Sequence, residues 1–376
     1  VPAVVALAGA LAVLTGWLSP AGAVEVLERS APVLGFLVAV TVLAELADDA
    51  GLFEAGASVT ARLGRGSVRR LFLLVCLLCT VTTVVLSLDT TAVLLTPVVL
   101  AMCRRLGLPA LPFAFATIWL ANAASLLLPV SNLTNLLAAE GRGLGALEYA
   151  RHAALPQLAV LAVTLAVLLL RHRRALRGAY GIPESPQAAD PALLRTAGLV
   201  TAVVAALLVA GLPPWAVATG GALVLVSVYA AKRRDRLRLA LLPWRLVVMT
   251  VGLFLVVQGL QEHGLTRLLH DAAGDGEGSG ALLRLTGVAA GAANAVNNLP
   301  AYLAVEPVAG SAERLLAALV GVNAGPLVLL WGSLATLLWR DRCAARGLHV
   351  GAWAFAREGL LLVPPALVAG ALAIGI

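Results

Sequence analysis

An apolar run that carries an asparagine, breaks at a proline and then packs four polar residues into five positions is a poor candidate for an ordinary helix, and this chain contains it in two copies. The first reads Leu120-Ala121-Asn122-Ala123-Ala124-Ser125 and continues through Pro129-Val130-Ser131-Asn132-Leu133-Thr134-Asn135-Leu136-Leu137. A shift of 201 residues, from Asn122 to Asn323, returns Val322-Asn323-Ala324-Gly325-Pro326 running on to Gly332-Ser333-Leu334-Ala335-Thr336-Leu337-Leu338. With 60% hydrophobic residues, 12% charged and a mean hydropathy of +0.95, the solvent for most of these 376 residues is lipid. In hydrocarbon, unwound backbone and clustered amides persist only where they line a protected polar cavity, so matched broken helices in two halves of a chain point to a transporter's binding site. A proline kink with small polar residues as interhelical glue would account for one copy, not for two in register.

The net charge of +7 comes almost wholly from arginines in short runs between apolar stretches. That is the mark of cytoplasmic loops in a cell-membrane protein and argues against nucleic acid as a partner. Cys76 and Cys79 lie in an apolar segment, and Cys103 and Cys343 adjoin arginines, so no disulfide is expected. The run from Pro2 to Leu18 has no basic segment before it and reads as a span, not a cleaved signal.

The arginine runs set a topology. Residues 3 to 20 and 33 to 48 are expected to cross, the second ending before Arg62, Arg65, Arg69 and Arg70. Residues 71–105 are bounded by arginines at both ends, too long for one ~30 Å core and too short for two crossings of ~20 residues each. They are expected to form a re-entrant hairpin with its tip at Ser87-Leu88-Asp89-Thr90-Thr91. The first broken helix is placed at 113–138 and a closing span at 153 to 170, before Arg171, Arg173, Arg174 and Arg177. Residues 178–192, with three prolines, Glu184 and Asp190, read as a cytoplasmic linker.

The second half, 193–376, repeats the order of the first, 1–177, in opposite orientation. Spans at 193 to 212, 215 to 231 and 244 to 260 precede a hairpin at 281–308 with its tip at Asn297-Asn298-Leu299-Pro300, a broken helix at 312–339 and a last span. Gln261-Glu262-His263-Gly264-Leu265 takes the place held earlier by Asp48-Asp49-Ala50-Gly51-Leu52. The fold class is therefore an all-α polytopic membrane protein of two inverted-topology repeats, with about nine full spans and two hairpins. Val1 to Leu14 resembles Pro213 to Val226, so a further span is expected before Val1.

These motifs resemble the arsenite efflux permeases (ArsB type) of the ion transporter superfamily. The likeness is carried by Asp48-Asp49-Ala50-Gly51-Leu52-Phe53-Glu54, by Asp89 to Pro97, by Ala124-Ser125 on to Asn132-Leu133 and Asn135, by Asn297-Asn298-Leu299-Pro300, and by Gly325-Pro326 on to Trp339. The resemblance implies that two hairpin tips and two broken helices surround the substrate, and that the activity is proton-driven export of arsenite or antimonite. It leaves room for a homodimer and for an ATPase subunit as partners. Asn122 and Asn323 stand where some permeases carry Asp, which removes two candidate proton carriers.

Arsenite near neutral pH is an uncharged trihydroxide whose three OH groups donate and accept. Asn122, Ser131, Asn132, Thr134 and Asn135 on one side, and Asn297, Asn298, Asn323, Ser333 and Thr336 on the other, supply matching amides and hydroxyls. Asp89 is the only carboxylate between Gly66 and Ala139 and stands at a hairpin tip, where a charge is costly. It is the candidate proton carrier, although a tip carboxylate also serves as a cap for backbone amides. Glu45, Asp48 and Asp49 form a possible relay or a solvated interfacial group. The rival cargo is a carboxylate or inorganic anion, coupled to sodium or protons, which a fixed carboxylate at the tip would repel. A membrane-embedded enzyme would need nucleophiles, acid-base pairs or metal ligands in the spans, yet His152, His172, His263, His270 and His349 fall at ends or in loops. No cofactor, metal or catalytic residue is expected.

Overall fold

The computed structural model describes residues 2–183 and 189–374, with side chains from residue 5 onward. Glu184 of the expected linker and the expected end of the last span at Ile376 lie outside the described residues. The described chain is helical, with a single isolated β-bridge between Ser67 and Ala179.

Helix α1 (Pro2–Leu14) stops at a turn through Gly16, and α2 (Pro20–Asp49) begins where Ser19 caps it, its Oγ accepting from the Gly22 amide at 3.1 Å. The expected spans, 3 to 20 and 33 to 48, were thus misjudged at both inner boundaries. Ser-Pro is a strong helix start, and Glu25, Glu28 and Arg29, which fall between the two expected spans, ride on the first turns of a 30-residue helix. Connector α3 (Leu52–Leu63) follows Gly51 at φ 84°. The first hairpin has α4 (Val68–Val85) as one arm. The other arm is α5 (Leu88–Thr90), a π-turn (Thr91–Leu95) and α6 (Thr96–Arg105). At the end of this widened turn the Thr96 amide and hydroxyl both donate to the Thr91 carbonyl, the hydroxyl at 3.2 Å, and Pro97 follows with no amide hydrogen to give.

Next come α7 (Ala110–Ala123), an unwound stretch over 124–132, α8 (Leu133–Gly141) and the closing α9 (Ala146–His172). The second half contains α10 (Pro191–Val209), α11 (Pro214–Lys232), α12 (Trp244–Glu262) and connector α13 (Leu265–Ala273), again preceded by a glycine at positive φ, Gly264 at 96°. Its hairpin is α14 (Ser279–Val296) and α15 (Asn298–Ala309), its broken helix α16 (Ala312–Ala324) and α17 (Leu334–Ala344), and its closing helix α18 (Ala352–Leu372).

The packing exchanges elements between halves. Helix α1 lies on α12 and α2 lies on α11, while α4 packs on α7 as α14 packs on α16, and α9 meets α18. At the first of these contacts the backbones nearly touch: a β-carbon on Gly252 would sit 2.7 Å from the Val5 carbonyl oxygen, and one on Gly9 3.0 Å from that of Gly252. Seven described helices are long and apolar enough to cross a membrane. One of them, α4, is a hairpin arm; the other six, with α1 and the two broken helices, make up the nine expected crossings. Helix α10 is only 28% buried across its span against 61% for α2, as expected for a helix on the lipid-facing rim.

The two ends of the bundle differ chemically. At one, Asp49 pairs with Arg236 at 3.1 Å and accepts from the Tyr229 hydroxyl at 3.0 Å, Arg346 reaches the Pro97 carbonyl at 2.8 Å, and Arg171 grips Glu358 with two bonds of 2.7 and 2.8 Å. At the other, Glu262 holds Ser19, and Arg314, 7% exposed, donates to the carbonyls of Gly274, Gly276 and Val308.

Candidate functional site

Helices α7 and α16 each unwind just beyond an asparagine, and the two breaks meet inside the molecule. Asn323, on the last turn of α16, is the hub. Its Oδ1 accepts from Asn132 Nδ2 at 2.8 Å and from the Thr134 hydroxyl at 2.9 Å, and its Nδ2 donates to Asn135 Oδ1 at 2.7 Å. None of the four side chains is more than 4% exposed. Asn132 also caps α8, its Oδ1 accepting from the Thr134 amide at 3.3 Å, which ends the unwound stretch and fixes where the polar cluster starts. Asn135 donates to the carbonyls of Ser125 and Leu128, so part of the unwound backbone is satisfied by the cluster itself.

A further part is satisfied from outside by two amides. Gln157 of α9 donates to the Ala123 carbonyl and accepts from the Leu126 amide, both at 2.8 Å. Asn294 of α14 donates to the Gly325 carbonyl at 2.8 Å and accepts from the Leu329 amide at 2.9 Å. Neither Gln157 nor Asn294 is among the site residues read from the sequence. The available signal was a lone amide in an otherwise apolar span, which in lipid needs a partner. Sequence reasoning also missed a run of hydroxyls from the first hairpin to α7: Thr83 to Thr91 at 2.8 Å, and Thr96 to Thr117 at 3.0 Å.

The expected site residues separate into groups. A cavity of about 40 Å³ lies between the hairpin tips and is lined by Asp89, Asn132, Asn297, Asn298 and Ser333. A larger one, about 250 Å³, shares Asp89 and Asn132 and extends past Thr90 to Glu45, Arg245 and Arg342. Thr134, Asn135 and Asn323 lie in the cluster behind these cavities and line neither. Ser131 does not face them either; its hydroxyl donates to the Val84 carbonyl at 3.0 Å and fastens the first break to the hairpin arm α4. Asn122 donates back to Ile118 at 3.1 Å, leaving its Oδ1 buried without a partner among the described residues, as are the hydroxyls of Ser333 and Thr336.

The tips differ. At the first, Ser87 is the cap, its Oγ accepting from the Thr90 amide at 3.1 Å, and the Asp89 carboxylate accepts no hydrogen bond from the described residues. At the second, the chain reverses on Asn297 alone, at φ 101° and ψ 153°, a conformation costly for any residue with a side chain, by about 1–3 kcal/mol. The Asn297 amide donates to the Trp331 carbonyl at 3.1 Å, joining this tip to the second break.

Of the three acids at the end of α2, Glu45 lines the larger cavity, whereas Asp49 is engaged by Tyr229 and Arg236, and Asp48 lines neither cavity. At the opposite end a cavity of about 50 Å³ is lined by Leu137, Gln258 and Gln261, and there Arg29 of α2 is paired with Glu306 of α15. The four cysteines are buried, unpaired thiols. No group of three or more His, Cys, Asp or Glu suited to a metal ion occurs among the described residues.

The family profile described as citrate transporter (CitMHS) matches residues 1–336. An arsenical pump membrane protein of Yersinia enterocolitica is 32% identical over 359 residues, covering 88% of this chain and 82% of the relative. The arsenical pump membrane protein of Escherichia coli (strain K12) is 31% identical over 390 residues, covering 96% and 90%. Among solved structures, the Alcanivorax borkumensis YdaH transporter, whose topology is described as unusual, superposes with a TM-score of 0.56 at 16% identity over 94% of this chain and 86% of its own. These relatives are transporters, not enzymes. Two broken helices facing two hairpin tips, a profile matched over most of the length and relatives above 30% identity lead to one assignment: the chain is a multi-pass membrane transporter that belongs to the citrate transporter (CitMHS) family and is of the ArsB type.

Proposed function

We propose that the protein exports arsenite or antimonite, as the neutral trihydroxide, across the cell membrane in exchange for protons. The observation that carries this reading is the chemistry of the small cavity: its polar lining is three asparagines, one serine and one threonine, with Asp89 as the only ionisable group and no cation. Amides and hydroxyls match a solute whose OH groups donate and accept. The volume, about 40 Å³, is that of roughly three water-sized spheres. It suits a solute of a few heavy atoms and not a tricarboxylate. Citrate, the cargo in the family's description, would also bring its negative charges to Asp89 in a cavity whose lining holds no cation, since Arg245 and Arg342 line only the larger one. The relatives named as arsenical pumps support the same choice.

Asp89 is the coupling residue in this scheme. It touches both cavities and has no cap to hold, so its proton can exchange with the larger cavity, where Glu45 offers the next acidic station. The arginine-rich end faces the cytoplasm by the distribution of positive loops. The larger cavity is then the cytoplasmic entry, and the Arg29–Glu306 pair closes the opposite side. Purified protein in liposomes tests this. Arsenite flux should follow an imposed pH gradient and collapse with it, while citrate neither moves nor competes. Citrate flux, or arsenite flux indifferent to the gradient, would overturn the proposal.

A further inference from the structure

The two amides that brace the breaks stand in matching but not equivalent places. Each acts as a substitute peptide group: one donor to the carbonyl at the end of a helix or just past it, Ala123 or Gly325, and one acceptor for an amide a few residues further on, in the place of intrahelical bonds the break removed. Each is the right kind of side chain, because Asn and Gln, like a peptide group, carry an N–H donor and a carbonyl acceptor on one rigid plane. At the first break the brace comes from the closing helix α9. At the second, the closing helix α18 presents Gly359, whose β-carbon would overlap the Leu327 carbonyl oxygen, so no side chain fits there and the amide comes instead from α14 of the hairpin.

We propose that Gln157 and Asn294 are positioning residues of the transport site, setting the path of the unwound backbone from which the site asparagines hang. The links are short. Gln157 fixes Ala123 and Leu126, which bracket Ser125. The Ser125 hydroxyl donates to the Asn122 carbonyl at 2.8 Å and accepts from Asn132 at 3.4 Å, and its carbonyl accepts from Asn135. The side chains of two site asparagines, Asn132 and Asn135, and the backbone of a third, Asn122, are therefore tied to a residue whose flanks Gln157 holds. Asn294 fixes Gly325, two residues after Asn323, and lies three residues before Asn297, on the same face of α14 as the tip. With Asn297 bonded to Trp331, the second hairpin and the second break are stapled at two points and move as one piece. The first break has no such tie through its brace, since α9 belongs to neither hairpin.

Two measurements test this, and only the second relies on arsenite being the cargo. Hydrogen–deuterium exchange of the purified protein in detergent, on Gln157→Met, should show faster exchange confined to 124–132, on the order of tenfold for loss of one hydrogen bond. Asn294→Leu should do the same at 325–333. Gln157→Glu and Asn294→Asp keep shape and acceptor, so they should retain protection at Leu126 and Leu329 and serve if the apolar variants do not fold. In vesicles, the apolar variants should raise KM for arsenite more than they lower kcat, with the acidic variants recovering part of the loss. Unchanged exchange at the breaks, or an increase spread evenly over the chain, would overturn the proposal, whether or not the parent protein carries arsenite.

Discussion

Asn323 and Asn135 lie 188 residues apart and share the shortest side-chain bond between the two halves at the crossing, 2.7 Å from Nδ2 to Oδ1. A double-mutant cycle on this pair measures whether the crossing acts as a unit. Asn323→Ala removes three hydrogen bonds. Two of the stranded partners have weaker alternatives at 3.4 Å, Asn132 to Ser125 and Thr134 to Asn135. At about 1 kcal/mol per bond, kcat/KM for arsenite efflux should fall by about 30- to 100-fold. Asn135→Ala removes the bond to Asn323 and the two to unwound carbonyls, and should cost about as much. The bond common to both changes is lost only once in the double variant. Interhelical hydrogen bonds in membranes average about 0.6 kcal/mol and reach about 1.7 kcal/mol, so a coupling of about 1 kcal/mol is expected, a double variant about fivefold more active than the product of the single effects. The assay is initial-rate efflux in everted vesicles at matched protein abundance. Additivity within about 0.5 kcal/mol would refute the view that the two breaks form one site.

Asp89→Asn should retain arsenite binding and lose the response of flux to an imposed pH gradient; parental rates with parental pH dependence would remove Asp89 from coupling. Reversing the Arg29–Glu306 pair is informative because it joins α2 to α15. Glu306→Arg alone should impair transport, and adding Arg29→Glu should restore part of it, whereas two changes that merely add would make the pair incidental. Replacing Cys76, Cys79, Cys103 and Cys343 together by Ala should leave export largely intact, because all four are buried and none lines a site cavity. Loss of transport at normal abundance would put thiol exchange in place of the amide chemistry.

The features legible in the sequence were those in which a residue contradicts its own neighbourhood. A proline just beyond an asparagine inside an apolar run marked both breaks, joined at the first by the cluster Ser131, Asn132, Thr134 and Asn135. What escaped depends on a partner distant in sequence. Gln157 is one amide among apolar residues, and nothing local tells that it faces Ala123 and Leu126. Asp49 reads like Asp48 beside it until Tyr229 and Arg236 arrive from the other half. The start of α2 lies outside the expected span because a helix long enough to leave the hydrocarbon carries charged residues, here Glu25, Glu28 and Arg29, beyond it.

The approach of α1 to α12 has a bearing on assembly. The principal neighbour of α1 is α12, and its hold is completed by Trp17, which stacks on His263 at 4.9 Å and covers Gly259. A methyl group at position 252 would meet the Val5 carbonyl and the backbone of Ala6, so the axes would have to part. Since lipid solvates an apolar helix as well as protein does, close backbone packing is what keeps such a helix docked. Gly252→Ala should therefore loosen α1 from the bundle, and a protease site placed at Gly16 should then be cleaved faster than in the parent protein; equal cleavage rates would refute the reasoning.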